Sequence, residues 1–468
     1  MQEFELILTK QLRGGLRRDY VPKSDPSIIE YYNIEPGVNG IEPYKSIKNP
    51  AGLVTEEGFD LLMEDGQRMM LESAGYFDIS KWPFPQLFVG ANYVILAEKD
   101  KIYSVDENWV CTEELSVIGG DVWDFVDFGP YLLLLNGEVI VYVDPTTDTF
   151  TQATSLDTMP RLGTACNFKG QIVGGDVRSS WEDLGRNSVI YSDIGSASFT
   201  IDRKNEAGFR FGRRKGNVLR VGRLGDGVIV YGENFIDLMV PYDQFFKIVE
   251  LLDVGVKAKS NVGITNDVHT FVDNKDYVWQ IDREFKLTRL GYQEFMAQLN
   301  SEYTVVSGIQ DERRFFISDG EKCFMLTDRG MCEVYQIVSS VVTLGREVIG
   351  TFLDNKDYEA RLTSGGMDFG HRGMKTLTSV EIGGREGGKI YCAVDLKYDT
   401  DGEFVRTPLV LASPDGFARP NGTGHEIRLH IKAEDYEEFY LDYLNAKVQL
   451  SDRRFAVRGP YRRTLDVD

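Results

Sequence analysis

The sequence predicts an all-β protein: a β-propeller of six or seven blades with an extended N-terminal segment and a C-terminal β-sandwich-like domain. Three observations predict it. From about Gln86 onward, short runs of β-branched and aromatic residues alternate with polar ones between Gly, Asn and Asp, the pattern of antiparallel strands joined by tight turns. A heptapeptide recurs, FVDNKDY at Phe271–Tyr277 and FLDNKDY at Phe352–Tyr358. The Asp319–Gly320 turn falls near the midpoint between the copies, which gives a unit of about 40 residues, the length of one four-stranded blade.

Taken in order, residues 1–85 are rich in turns (DPS, EPG, NPAG) and are expected to run extended over the propeller, with one further hairpin in LLMEDGQRMML. Residues 86–367 are the propeller. Its hairpins are expected in NYVILAEKDKIYSV around Lys99–Asp100, in YLLLLNGEVIVYV, in GVIVYGENFIDLMV around Glu233–Asn234 and in RRFFISDGEKCFML. Asn136–Gly137 would supply the two positive-φ residues of a type I′ turn. The long gap between Gly137 and Asn234 hides one more hairpin, pairing Gln171–Asp176 with Ser188–Asp193 across a long loop. YQEFMAQLNSEY, Tyr292 to Tyr303, is the one helix candidate between blades, with Phe295, Met296 and Leu299 on one face. Residues 368–468, with SVEIGG, KIYCAVDLKY, EIRLHIKA and FYLDYLNAKVQL, read as a separate β domain.

Bulk properties narrow the function. With 52 Lys plus Arg against 73 Asp plus Glu, the chain carries a formal charge of -21, which argues against general nucleic-acid affinity. Hydrophobic residues make up 42% and aromatics 12%, enough apolar surface for a globular chain. The N-terminus has no apolar leader, and no run of about 18 apolar residues exists to cross a bilayer, so a soluble protein made in the cytoplasm, without membrane insertion, is expected. Five cysteines without a C-x-x-C pair read as buried thiols.

Candidate chemistry is sparse. GGREGGKI, Gly383 to Ile390, has Walker A spacing, but Ile390 replaces the Mg²⁺-binding Ser or Thr and a strand follows, so a hairpin turn is expected. DTDG at Asp399–Gly402 opens like a calcium loop but lacks the later carboxylates. His269, His371, His425 and His430 have no zinc spacing, and no G-x-S-x-G elbow occurs. YSDIGSASF departs from the aspartate box of sialidases. No catalytic residue, metal or cofactor is assigned, and the protein is expected not to be an enzyme.

One basic stretch stands against the acidic background. DRKNEAGFRFGRRKGN holds Arg203, Lys204, Arg210, Arg213, Arg214 and Lys215 interleaved with Phe209 and Phe211; Arg453, Arg454 and Arg458 form a second cluster near the C-terminus. These residues are expected to contact a protein partner or another copy of the chain, in preference to DNA phosphate.

Four segments together carry a family resemblance: YYNIEPGVNGIEPYKS; NSVIYSDIGSASF; LGDGVIVYGENFIDLM followed by VGVKAKSNVGITNDVHTFVDNKDYVWQI; and YQEFMAQLNSEY. Over about residues 20–360 the chain resembles the tail hub, nozzle and packaged-DNA stabilisation proteins of short-tailed bacteriophages and their relatives. The resemblance implies a virion structural protein of the tail or neck, assembled in the host cytoplasm. It implies a homo-hexameric ring below the portal and adaptor, part of the DNA exit conduit, that carries fibres or a plug and lets DNA pass without binding it. An acidic lumen would suit that task. The alternatives are a sugar- or receptor-binding propeller, for which Trp181 in VRSSWEDLGRN is the suspect aromatic, and, less favoured, a propeller glycosidase.

Overall fold

The structure is a computed structural model that describes residues 3–19, 27–47 and most of 82–450. The exceptions within the last span are 91–92, 107–110, 130, 154–158, 179–183, 203–205, 212–215, 243–244, 310–311, 346, 356, 370–372, 385–388, 400–401 and 438. The chain divides into two compact units, one of residues 46–323 and 336–354, the other of 1–45, 324–335 and 355–468.

The first unit is a β-propeller. Five four-stranded antiparallel sheets follow one another along the chain, each in simple meander order. Blade one spans Gln86–Gly90 to Cys111–Ser116, blade two Asp124–Asp127 to Thr149–Ala153, and blade three Leu162–Phe168 to Gly208–Phe211. Blade four spans Val218–Leu224 to Phe245–Leu252, and blade five Val262–Ile264 to Leu287–Gly291. A sixth position is taken by the hairpin Val305–Ile309/Arg314–Ser318, and a seventh by a longer hairpin, Gln336–Leu344/Glu347–Asp354.

Burial follows from the strand period. Alternate residues of each sheet enter the layers between blades, so Leu133, Leu135 and Ile140 of blade two meet Leu162, Ala165 and Ile172 of blade three. Val221, Val228 and Val230 of blade four meet Val173, Val189 and Tyr191 of blade three in the same way.

Side chains clasp each inner strand to the next, and these clasps run round the whole circle. Gln86 Oε1 accepts the Trp123 N–H at 2.7 Å, and Asn167 Nδ2 donates to the Asp127 carbonyl at 2.8 Å. Thr164 Oγ1 accepts the Val221 N–H at 3.0 Å, and Arg220 donates to the Val262 carbonyl. Ser260 Oγ donates to the Thr304 carbonyl at 2.7 Å, and Ser307 Oγ accepts the Val341 N–H at 3.0 Å. Ser340 Oγ accepts the Leu87 N–H at 3.0 Å and closes the ring. Seven inner strands therefore surround one axis, and the expectation of six or seven blades resolves to seven positions, the last a two-stranded one.

Three local expectations are corrected. Asn136–Gly137 is not a two-residue type I′ turn, because Leu135 pairs with Ile140 and only Gly137 has positive φ, +85°. The Asn136 carboxamide oxygen instead accepts the N–H groups of Glu138 and Val139, both at 2.9 Å, and so shapes a four-residue loop. The helix expected over Tyr292–Tyr303 is one turn, Gln293–Met296, after a left-handed Tyr292 at φ +62°; Phe295, Met296 and Leu299 are buried all the same. Only the first DNK copy makes a blade hairpin. There the buried Asp273 accepts the N–H groups of Lys275 and Tyr277 and the indole N–H of Trp279.

Besides the hairpin Ile34–Pro36/Ile41–Pro43, the second unit holds two larger sheets. One runs in the order Met331–Val334, Ile28–Tyr32, Ala360–Ser364, Glu426–Ala433, Ile390–Lys397, Val405–Arg406; the other has Tyr443–Leu450 between Glu3–Ile7 and Lys375–Gly383. Gly422, paired to the second sheet, lies so close to Leu396 of the first that a Cβ there would meet its methyl at 2.7 Å, which places the sheets face to face. Residues 3–45 thus supply strands to this unit's own sheets, where the sequence suggests an extended segment over the propeller, and the division 1–85, 86–367 and 368–468 is not the one the compact units follow. The Gly383-to-Ile390 segment is also not a hairpin turn, because the strands it joins belong to different sheets. The LLMEDGQRMML hairpin lies outside the described residues.

Candidate functional site: the propeller cavity and rim

The inner strands enclose a cavity of about 880 Å³, lined by residues from all seven positions. At one end of the ring, polar side chains at and near the starts of those strands meet. Lys259, 4% exposed and just ahead of blade five, reaches across to the carbonyls of Val122, just ahead of blade two, at 2.7 Å and of Gly163, at the start of blade three, at 2.5 Å. Arg220 of blade four bonds Asp124 of blade two at 3.1 Å, and Asp124 also accepts the Thr164 hydroxyl of blade three. Burial lowers the Lys259 amine to about 8, while Asp124 and Asp121 act in the opposite direction. With its charged groups engaged in holding blades together, this end offers structure rather than a nucleophile.

His269 of blade five is equally committed. Its Nδ1 lies 2.9 Å from the Tyr231 hydroxyl and its Nε2 2.9 Å from the Arg223 carbonyl. A carbonyl can only accept, so Nε2 carries the proton and Nδ1 accepts from Tyr231. Burial lowers this imidazole to about 3.

In the second unit, a polar row crosses one sheet face through register neighbours Glu30, Thr363 and His430. Arg406 lies 3.2 Å from His430 Nε2 and makes two bonds to Asp395, at 2.7 and 3.0 Å. Thr, His and Asp invite comparison with a hydrolytic triad, but a guanidinium only donates, so Nε2 is the acceptor. Nδ1–H then donates to Thr363 at 2.8 Å, and Thr363 donates to Glu30 at 2.5 Å. His430 cannot take the Thr363 proton in this arrangement, and burial followed by Arg406 lowers its basicity further.

The partner-contact residues divide unevenly. Arg203, Lys204, Arg213, Arg214, Lys215, Arg453, Arg454 and Arg458 lie outside the described residues, as does Trp181. Phe209, Arg210 and Phe211 form the outermost strand of blade three. Phe209 packs inward against the core and meets Phe211 edge-on at 5.3 Å, while Phe211 is 52% exposed. Arg210 turns the other way, over the Phe245 ring of blade four at 5.2 Å, and its Nε donates to the Phe246 carbonyl at 3.0 Å. Phe245 is 55% exposed and pairs across the strand with Tyr242, 68% exposed. The rim of blades three and four therefore presents a connected basic and aromatic surface. Tyr242 and Phe245 are missing from the sequence-based set, although aromatic residues on both sides of the short Asp243–Gln244 connection in PYDQFF were a signal.

Among the described residues no group of His, Cys, Asp and Glu could hold a metal ion, and no helix is long and apolar enough to cross a membrane. By architecture the first unit belongs to the β-propeller class. No known family profile matches the chain, and no curated protein does. Several solved structures align with part of the chain. U3-55K matches at 11% identity and a TM-score of 0.37, covering 58% of this chain and 84% of that one. The Pan2 WD40 domain of Neurospora crassa matches at 8% and 0.36, covering 59% and 85%, and BamB of Moraxella catarrhalis at 10% and 0.33, covering 60% and 90%.

Proposed function

We propose that this protein is a non-enzymatic virion structural protein, a subunit of a homo-hexameric hub or nozzle ring in a bacteriophage tail or neck. In this reading the ring forms part of the DNA exit conduit below the portal and adaptor. The observation that carries it is the exposed aromatic rim of blades three and four, Phe211, Tyr242 and Phe245 with Arg210 ordered among them, on a chain of net charge -21. Large aromatic side chains beside an ordered arginine are the composition of a protein contact. In a ring the conduit would lie between copies, where acidic walls would repel passing DNA. The resemblance in residues 20–360 supports the same reading.

The mass of the purified chain in solution, followed by class-averaged electron micrographs of any large species, tests it. A sixfold ring with an open centre is expected; a protein that stays monomeric when concentrated overturns it. The polar cavity favours a sugar-binding propeller as the second reading, which predicts a monomer that retains a glycan through that cavity.

A further inference from the structure

If the ring reading holds, one of its interfaces can be assigned. We propose that the basic and aromatic rim of blades three and four docks onto the outer edge of blade one in a second copy of this chain, as the repeated head-to-tail contact that closes the ring. This inference rests on the ring reading and adds the identity of both contacting surfaces.

The outermost strands of the five complete blades differ in charge. Gly208–Phe211 of blade three and Leu287–Gly291 of blade five have arginine as their charged residue, Arg210 and Arg289; Thr149–Ala153 of blade two has none. Phe245–Leu252 of blade four has both signs, with Lys247 exposed. Cys111–Ser116 of blade one is the one with acidic residues alone, Glu113 and Glu114, and Asp106 lies just before it in sequence. Lys101 pairs with Glu113 at 2.6 Å within that blade, so the edge keeps a net negative charge after its internal pairing. Complementary charge therefore singles out blade one as the acceptor for Arg210 and Lys247.

Shape and position agree with the charge. Arg210 is fixed before any partner arrives, by its bonds to the Phe246 and Phe209 carbonyls and its stacking on Phe245, so less side-chain freedom is lost on docking. Tyr242, Phe245 and Phe211 supply the apolar area that an exposed ion pair alone lacks. Blade one and blades three to four are two to three of seven positions apart, roughly 100–155° about the propeller axis. A closed sixfold ring needs a subunit's two contact surfaces about 120° apart. Two different surfaces at such an angle give a heterologous, ring-closing contact.

Charge exchange tests it. The first variant, Glu113→Lys with Glu114→Lys, has two basic edges; the second, Arg210→Glu with Lys247→Glu, has two acidic ones. Each should lose the ring in native mass spectrometry while keeping the wild-type circular-dichroism spectrum. An equimolar mixture should restore an even-membered ring with the two variants in equal number. Tyr242→Ser with Phe245→Ser, which leaves both charge sets in place, should also abolish the ring and covers the case in which Arg210→Glu disturbs blade three. Variants that assemble like the wild type, or a mixture without rescue, overturn this interface and leave the ring reading standing. A wild-type chain that is monomeric at every concentration removes the ring reading and this interface with it.

Discussion

The two arcs of the propeller ring are held by different chemistry. Across blades two to five the inner strands are tied by a charged group, Asp124, Arg220 and Lys259, with the neutral Thr164 and Asn167 beside it. From the sixth position through the hairpin Gln336–Leu344/Glu347–Asp354 to blade one, the ties are hydroxyls: Ser307, Ser339 and Ser340. A buried charge without its partner is far more costly than a lost neutral hydrogen bond. The charged arc should therefore tolerate little change, while the hydroxyl arc should lose its clasps one at a time.

The largest effect is expected from Asp124→Ala, which removes the carboxylate that pairs with Arg220 and balances the buried Lys259; a loss of about 3–5 kcal/mol in urea denaturation is predicted. A loss below about 1 kcal/mol would mean that the arcs do not differ. The next is an effect of acid. The His269 imidazole, held at about 3 in the fold, stays neutral while the unfolded chain gains a proton below its ordinary value near 6.5. The stability it contributes is present above that value and is lost as pH falls toward 3. Between pH 7 and 4.5 the wild type should lose about 2–3 kcal/mol that a His269→Gln variant does not lose. Parallel acid limbs for the two proteins would contradict this.

Ser340→Ala removes the hydroxyl that accepts the Leu87 N–H, and about 1–2 kcal/mol is expected, with an unchanged denaturant slope. A change of similar size is Gly137→Ala, at a φ of +85° where a Cβ would also press on the Arg178 guanidinium that Asp176 and Asp121 hold; about 1–2 kcal/mol in thermal unfolding is expected.

The blade rhythm was legible because each blade is a local meander whose strand alternation and turn chemistry sit within about 40 residues. The turns at Lys99–Asp100, Glu233–Asn234 and Lys275 mark hairpins, and even the widely split pair Gln171–Val177 with Ser188–Tyr191 was recoverable from its alternation. What stayed hidden depends on long-range placement. Nothing near Glu3–Ile7 announces a partner at Tyr443–Leu450, and nothing in KAKSN shows that Lys259 reaches blades two and three. The second DNK copy misled because the motif encodes a turn, whereas the number of strands after it depends on where the chain leaves the sheet. For the rim, the sequence displayed Phe209, Arg210 and Phe211 but not their pairing with blade four, which only folding creates.

The seventh position also determines how the propeller would respond to force. Consecutive complete blades are joined by the chain itself, whereas Gln336–Leu344 and Gln86–Gly90, at the two ends of the circle, meet through Ser339, Ser340 and packing, with no backbone ladder between them. Mechanically this is a split washer: hoop tension is carried by covalent chain around most of the circumference and by hydroxyl clasps at one gap. A pull along the wall would open it there first, before any blade lost its internal pairing, and on release the clasps could re-form with every sheet still intact.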